Sequence, residues 1–317
     1  MSDPNVDPSG STEQFKAFVQ HTEPASTRSF PVGAVVGVVA AIVVGAIVVL
    51  SFALSAAVAD APPTGGTPAR HTPAGGRPVE PVTATAPRPV GWPLLSQWWR
   101  ELTFLHWPVP PERVEPLLPA GTRPDVLDGV TYVGLIAFRM SRVGFGPGPG
   151  LPYLGEFAET NVRLYTVDGD GRRGVLFRSL DAARLLPVLV ARLGFRLPYV
   201  WSRMRLSRAG DEIGYTSRRR WPGPRGARCD LRVRVGEPVG EPSAFEDFVT
   251  ARWGLHWDGW GRTRYLPNIH PRWPLHRAEL LHLDEELVAA AGVRVDGPPV
   301  SVLYSPGVPV RFGRPLR

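Results

Sequence analysis

Polar and apolar positions alternate strictly over residues 157–165. Glu159, Asn161, Arg163 and Tyr165 fall on one side of the alternation, and Thr160, Val162 and Leu164 on the other. Successive side chains of a β-strand point to opposite faces, so the pattern predicts a strand with an acid, an amide, a guanidinium and a phenol on one face. Such a face is either a solvated sheet surface or the lining of a polar pocket inside a curled sheet, and the segments that follow favour the pocket. Asp168-Gly169-Asp170-Gly171 is a tight-turn signal, and residues 174–180 read as the returning strand, which makes the stretch one arm of a hairpin. Further alternations predict strands over 98–107, 229–235, 262–269, 275–283 and 300–303, and a hairpin over 204–215 that turns at Ala209-Gly210-Asp211. Residues 130–140 are apolar almost throughout, which predicts a buried strand.

Helical signals are fewer. Residues 110–118 place Val114, Leu117 and Leu118 on one side. In 181–194, Leu185, Leu189 and Leu193 recur four apart behind Asp181, which stands at the N-cap position, and Pro187 restricts that helix to a start or a kink nearby. Ser243 and Glu246 form a capping box opening a helix through Trp253, and a short helix over 284–292 ends at Gly292. Residues 144–152 are a Gly/Pro loop, and the run Arg218-Arg219-Arg220 reads as a loop before Pro222-Gly223-Pro224. Many strands with few helices predict an α+β domain, a curled antiparallel β-barrel or cone with peripheral helices.

The first ninety residues follow other rules. Residues 1–29 are polar and read as a disordered tail. Residues 30–59 contain no charged side chain and exceed the ~20 residues that cross a bilayer, which predicts one transmembrane helix ahead of the domain, and hence a single-pass cell-membrane protein. The rival is a signal peptide cleaved after Ala57-Val58-Ala59, but the apolar run is long for one and follows a long acidic leader. Gly33, Gly37, Ala41 and Gly45 recur every four residues, a small-residue stripe that suits a homodimer of membrane helices. Lys16 and Arg28 precede the span, and Arg70, Arg77 and Arg88 follow it, which tilts the positive-inside rule towards a cytoplasmic C-terminal domain. Residues 60–90 are rich in Pro, Gly, Thr and Ala and read as a linker to a domain over 91–317.

Charge and composition narrow the chemistry. The formal net charge is +7, and Lys16 is the only lysine, so 35 of the 36 basic residues are arginine. A basic surface suits nucleic acid or anionic lipid. The arginines are scattered and no nucleic-acid motif accompanies them, so they read as a compositional bias and no nucleic-acid partner is expected. Cys229 is the only cysteine, which rules out an intramolecular disulfide and a cysteine zinc site. His270, His276 and His282 are six apart but separated by Pro271 and Pro274, and no HExxH occurs, so no metal is expected. Trp253, Trp257 and Trp260 with His256 read as core or rim packing. Residues 146–150 lack the end of a phosphate loop, and no cofactor is expected.

The order of these segments resembles the DUF2071 or YqjF-like family, a branch of the acetoacetate decarboxylase-like superfamily. The resemblance rests on Leu102-Thr103-Phe104-Leu105-His106-Trp107, Glu159-Thr160-Asn161-Val162-Arg163, Ser179-Leu180-Asp181-Ala182, Leu197-Pro198-Tyr199 and Tyr304-Ser305-Pro306-Gly307-Val308, and covers roughly residues 86–313. It implies the curled sheet. In the decarboxylase branch a motif lysine forms a Schiff base with a keto acid. Here Arg192 and Pro198 look like the motif arginine and proline, and Tyr199 occupies the lysine position. A phenol cannot form an iminium, and Lys16 lies in the tail, so that mechanism is excluded. Glu159 looks like the superfamily's pocket glutamate.

Glu159, Asn161, Arg163, Arg178, Arg192 and Tyr199, with Asp181, therefore form the candidate cluster. Arginines there hold a carboxylate or phosphate, and the carboxylates with Tyr199 move protons if burial raises their pKa. The competing reading is a salt-bridged strand face with Asp181 as a helix cap. Three functions stay open: a binding module for a small organic anion, a non-Schiff-base enzyme acting on a carboxylated or keto substrate, and a tethered structural domain without a ligand.

Overall fold

The computed structural model describes residues 77–259 and 261–316. In chain order these form β1 (Leu95–Val109), α1 (Pro111–Val114) with a 3-10 turn behind it, β2 (Thr122–Pro124), β3 (Thr131–Phe145), β4 (Phe157–Asp168) and β5 (Arg173–Ala182). Then come α2 (Leu185–Phe195), β6 (Tyr199–Ala209), β7 (Glu212–Trp221), β8 (Arg228–Pro238), α3 (Ala244–Thr250) and β9 (Gly254–Asp258). The chain ends with β10 (Thr263–Ile269), β11 (His276–Glu285), α4 (Leu287–Ala290) and β12 (Ser301–Phe312). The protein is mostly sheet with few helices.

All twelve strands belong to one sheet, ordered β10-β9-β5-β6-β7-β8-β11-β12-β1-β3-β4-β2, with additional pairings β4–β5 and β10–β12. The added pairings join the sheet to itself twice. β5, β4, β3, β1 and β12 are a common wall; β6, β7, β8 and β11 complete one circuit of strands from it, and β9 and β10 complete another. The register shows where the circuits part. β5 pairs with β9 at Val175↔Leu255 and further along with β6 at Leu180↔Tyr199. β12 pairs with β11 at Tyr304↔His276 and further along with β10 at Phe312↔Asn268.

Alternation along the wall, broken at bulges in β1 and β5, gives each of its faces a core. Leu102, Phe104, Ile136, Phe138 and Tyr165 pack with Leu255 and Trp257 of β9 and Phe248 of α3. Leu105, Leu135, Val162 and Leu164 pack with Ile213 of β7 and Leu231 of β8. Leu105, Val162 and Leu164 are completely buried, each stabilising the fold by about 1.5–3 kcal/mol. The β4–β5 turn is fixed by Asp168, whose Oδ1 accepts from the backbone N–H of Asp170 at 3.0 Å and of Arg172 at 2.9 Å. The capping box of α3 is present: Ser243 N–H donates to Glu246 Oε2 at 2.7 Å, and Glu246 N–H to Ser243 Oγ at 3.3 Å.

Four sequence expectations change. Asp181 is not a helix cap: it lies in β5, and Arg184 holds the N-cap position of α2. Arg218, Arg219 and Arg220 lie in β7 rather than a loop. The capped helix stops at Thr250 rather than Trp253 and β9 follows it, while Trp253, His256 and Trp257 are buried as core packing requires. The last strand runs nine residues past 303, through two prolines, because Gly307 lets it lie against β1. A Cβ at Gly307 would meet the Trp99 carbonyl oxygen at 2.0 Å, at a φ of +117°.

Residues 77–90, within the stretch read as linker, are held against the sheet. Glu80 N–H donates to the Gly171 carbonyl at 2.9 Å, Arg173 Nε to the Glu80 carbonyl at 2.6 Å, and Trp253 Nε1 to the Thr83 carbonyl at 3.0 Å. Arg88 pairs with Glu80 and donates to the Tyr265 hydroxyl at 3.2 Å. Backbone groups make most of these bonds, so a Pro/Gly-rich composition gives no sign of them. The tail, the apolar run over 30–59 and the stripe Gly33, Gly37, Ala41 and Gly45 lie outside the described residues. Among the described residues no helix is long and apolar enough to cross a membrane.

Candidate functional site

The polar face of β4 is buried. Glu159 is 2%, Asn161 4% and Arg163 8% exposed. Their cross-strand neighbours are apolar or small: Phe138 and Ala182 flank Glu159, Ile136 and Leu180 flank Asn161, and Gly134 and Phe177 flank Arg163. Gly134 makes the space Arg163 occupies, since a Cβ there would approach Arg163 Cγ at 3.2 Å and the Tyr165 hydroxyl at 3.1 Å. No neighbour on this face is a carboxylate. Glu159 and Arg163, four residues apart in a strand, are separated by ~13 Å along it and do not neutralise each other directly.

Glu159 therefore sits in an apolar setting. Burial drives its carboxyl pKa up to about 8, against hydrogen bonds from Tyr199 and Asn161 that favour the ionised form, with Asp181 adding to the rise. It is mainly neutral at pH 7. The Tyr199 hydroxyl donates to Glu159 Oε2 at 3.0 Å. Burial and the neighbouring Glu159 raise the Tyr199 phenol well above its ordinary value, so it stays protonated. Arg192 holds this tyrosine from behind, donating through Nη1 to its carbonyl at 2.6 Å.

Arg163 is a buried cation without a carboxylate. Its Nε donates to the Tyr165 hydroxyl at 3.1 Å and its Nη2 to the Val249 carbonyl at 2.9 Å. The Tyr165 hydroxyl gives its own proton to the same carbonyl, at 3.0 Å. His106 Nε2 lies 2.9 Å from that hydroxyl. With the phenol proton already committed, Nε2 is the donor there and Nδ1 the bare acceptor. Burial, then Arg163 and Arg252, push the His106 pKa well down, so the ring is neutral. His106 Nδ1 and Asn161 Oδ1 are buried with no hydrogen-bond partner.

Of the six predicted residues, Glu159 and Tyr199 are joined directly, Asn161 and Arg163 continue their row, and Arg192 supports Tyr199 through its backbone. Arg178 is elsewhere. A β-bulge on β5 lets Ser179 pair with Val162 and Phe177 with Arg163, leaving Arg178 between them without a partner position. Its guanidinium turns to the Ala291 carbonyl at 3.2 Å and the Leu117 carbonyl at 3.1 Å. Asp181 also leaves the cluster: it pairs with Arg219 on the opposite face of the wall, with Ser202 Oγ donating to it at 2.8 Å. His106 and Tyr165 are the residues missing from the predicted set. Tyr165 was on the correct face, and His106 follows Leu102 and Phe104 by alternation, so the period of β1 could have found it.

Two other buried arrays lie outside this row. His256 bridges Asp168 Oδ2 at 3.1 Å and Thr166 Oγ1 at 2.8 Å. This is an acid–imidazole–hydroxyl order, but Gly174 lies against the ring so closely that a Cβ would meet Nδ1 at 2.8 Å, which leaves no room for a substrate. Asp125 is held by Arg173 and Arg252. Among the described residues no three His, Cys, Asp or Glu side chains converge as metal ligands.

Comparison with known proteins agrees with this fold. The chain is 29% identical over 191 residues to the uncharacterized protein YqjF of Bacillus subtilis, covering 60% of this chain and 78% of YqjF. The acetoacetate decarboxylase of Legionella pneumophila superposes with a TM-score of 0.50 at 14% identity, over 73% of this chain and 92% of the decarboxylase. An acetoacetate decarboxylase-like enzyme from Sphingomonas wittichii superposes at 0.48 and 15% identity, over 74% and 94% of the two chains. The profile of DUF2071, described as an uncharacterized conserved protein, matches residues 96–309. That match covers more than half of the chain, which therefore belongs to the DUF2071 family.

Proposed function

We propose that the protein is a membrane-tethered receptor for a small organic anion, bound along Glu159, Asn161 and Arg163 inside a sheet curled into a barrel or cone. The observation that carries this reading is Arg163, a buried guanidinium whose partners are a phenol and a carbonyl. A buried charge without a counter-ion is costly, and a ligand carboxylate accepting two parallel bonds from Arg163 would supply one. Neutral Glu159 does not repel that anion, and the bare Asn161 Oδ1 and His106 Nδ1 offer acceptors to a ligand hydroxyl. The row is closed as it stands, so entry requires α2 or α3 to yield.

The test uses the full chain in mild detergent with a series of small mono- and dicarboxylates, and amines of matched size as controls. Carboxylates are expected to raise the unfolding temperature, by the equivalent of about 2.7 kcal/mol at a hundredfold excess over Kd. The effect is expected to vanish in Arg163→Gln and to survive in Glu159→Gln. No stabilisation by any carboxylate removes the reading.

A second reading is favoured by one feature. An acid with a pKa of about 8, hydrogen-bonded to a phenol, is poised for proton transfer near neutral pH. The protein would then be an enzyme acting on a carboxylated or keto substrate, with Arg163 holding the carboxylate and Glu159 moving the proton. A Schiff base is not involved, because Lys16 is the only lysine. Turnover that Glu159→Gln abolishes while binding persists distinguishes this from the receptor.

The tether is proposed from residues 30–59, with the domain on the cytoplasmic side and the stripe of Gly33, Gly37, Ala41 and Gly45 pairing two helices. The full chain is expected to pellet with membranes. Uncleaved chain in the soluble fraction without detergent removes the tether and leaves the anion reading standing.

A further inference from the structure

The outer face of β6 and β7 carries charge that the fold does not use. Arg203 stands directly opposite Arg218, and Arg218 opposite Arg228 on the next strand. Like charges facing each other across a ladder destabilise it. Arg228 is relieved by Asp284 and Glu286. Arg203 and Arg218 are exposed and have no carboxylate within ion-pair distance among the described residues. Something outside the domain that is anionic would remove the repulsion.

The surroundings say what kind of anion. Arg218 shares an open groove of about 840 Å³ with Arg220 and Arg225, and no acidic residue lines it. Its apolar members are Trp201, Trp221, Leu185 and Leu189. Arg220 lies over the Trp201 ring at 4.7 Å, and Arg192 over the Trp221 ring at 5.5 Å. Trp221 and Leu185 are each 40% exposed, and Leu193, further along α2, is 73% exposed. A small-molecule site encloses most of its ligand, which an open groove does not. Arginine beside tryptophan with leucines projecting is the composition that settles at a lipid headgroup boundary, where the cation meets phosphate and the apolar side chains leave water. A nucleic acid would satisfy the arginines and tryptophans but give Leu185 and Leu193 nothing to bury against.

We propose that this face docks on the surface of an anionic bilayer, with Arg203, Arg218, Arg220 and Arg225 among the headgroups and Trp221, Leu185 and Leu193 at the acyl boundary. The surface contains none of Glu159, Asn161 and Arg163, although Arg192 of α2 adjoins both, and the docking does not depend on what that row binds. It requires only that the domain reach a membrane, by its own N-terminal segment or by diffusion.

The experiment places the full chain in nanodiscs of phosphatidylcholine alone and in discs that also contain phosphatidylglycerol, and follows hydrogen exchange. Backbone amides of residues 185–196 and 218–226 are expected to exchange more slowly in the anionic discs only, and to lose that protection at high salt. Each arginine near an anionic leaflet contributes about fivefold to docking, so Arg203→Gln/Arg218→Gln/Arg220→Gln together are expected to lower the docked-to-free ratio by about two orders of magnitude. That variant removes repulsion and is expected to keep or raise its denaturation midpoint, which separates lost docking from lost folding. If the chain does not enter discs, it is mixed with vesicles of the same two compositions and floated, so failure of the tether is distinct from failure of the surface. Equal exchange, or equal flotation, with both lipids overturns the proposal. So does protection reproduced by inorganic phosphate alone, or by an RNA oligonucleotide where the anionic lipid gives none.

Discussion

Replacing Arg219 by methionine is expected to destabilise the protein by about 3–5 kcal/mol, because it leaves Asp181 buried without its cation. The side chains of Arg219 and Asp181 are 2% and 0% exposed. The pairing is bidentate, with Arg219 Nε donating to Asp181 Oδ1 at 3.0 Å and Nη2 donating to the same oxygen at 2.9 Å, while Nε also reaches Oδ2 at 3.1 Å. Nη2 donates to Ser179 Oγ at 2.8 Å as well, and Ser202 Oγ at 2.8 Å and Ser217 Oγ at 3.4 Å also donate to the carboxylate. These contacts join β5, β6 and β7 where β5 passes from one circuit of strands to the next, so the loss is expected across that junction. The measurement is the urea midpoint of the full chain in mild detergent, at unchanged m-value. Adding Asp181→Asn to Arg219→Met removes the orphaned charge and is expected to recover part of the loss. An unchanged midpoint in Arg219→Met would show that Asp181 loses its charge or gains water once its partner is gone, since burial already raises its pKa.

That pair was illegible in the sequence for a definite reason. Asp181 precedes leucines spaced four apart, which is the local signature of a helix cap, and its partner lies 38 residues away across a hairpin. Nothing local distinguishes the two roles. Arg178 failed differently. The unbroken register from Ser179↔Val162 would set Arg178 opposite Arg163, on the face where it was expected; one inserted residue sends it to the Leu117 and Ala291 carbonyls instead. Bulges shift the phase of an alternation without any necessary mark in composition. Where no bulge intervenes, as from Glu159 to Val162 on β4, alternation alone assigned the faces correctly. The hairpin was equally legible, because Asp168 and Gly171 encode its turn within four residues. Alternation alone left the row open between a pocket, which the following segments favoured, and a wet surface, since the same polar alternation serves both. The row's apolar flank comes from Phe138, Ile136 and Leu180 on strands whose pairing no local pattern specifies.

Glu159→Gln is expected to stabilise the protein at neutral pH and to flatten its pH dependence. The Glu159 carboxyl has a pKa of about 8 in the fold against 4.5 ordinarily. Below pH 4.5 both folded and unfolded chains hold the proton, and the stability that comes from the neutral acid is fully present. Between pH 4.5 and 8 the unfolded chain releases the proton while the folded chain keeps it, so the unfolded state is favoured by about 1.4 kcal/mol per pH unit. Above pH 8 both are ionised and the loss is complete, about 5 kcal/mol in all. Glutamine is close in shape to the neutral acid and cannot ionise. Its oxygen can accept from Tyr199 as the acid's does. The variant and the wild type are therefore expected to have similar midpoints near pH 4.5 and to diverge as pH rises, with the variant ahead by about 3 kcal/mol at pH 7. Other titrating groups are common to both proteins and cancel in the difference. Glu159→Ala is not equivalent: it removes the acceptor of the Tyr199 hydroxyl and opens a void between Phe138 and Ala182. Parallel pH profiles for Glu159→Gln and wild type would mean that Glu159 titrates in the fold as it does unfolded. A carboxylate ionised at pH 7 would then stand at the far end of the row from Arg163, and an anionic ligand lying along the row would be repelled by it.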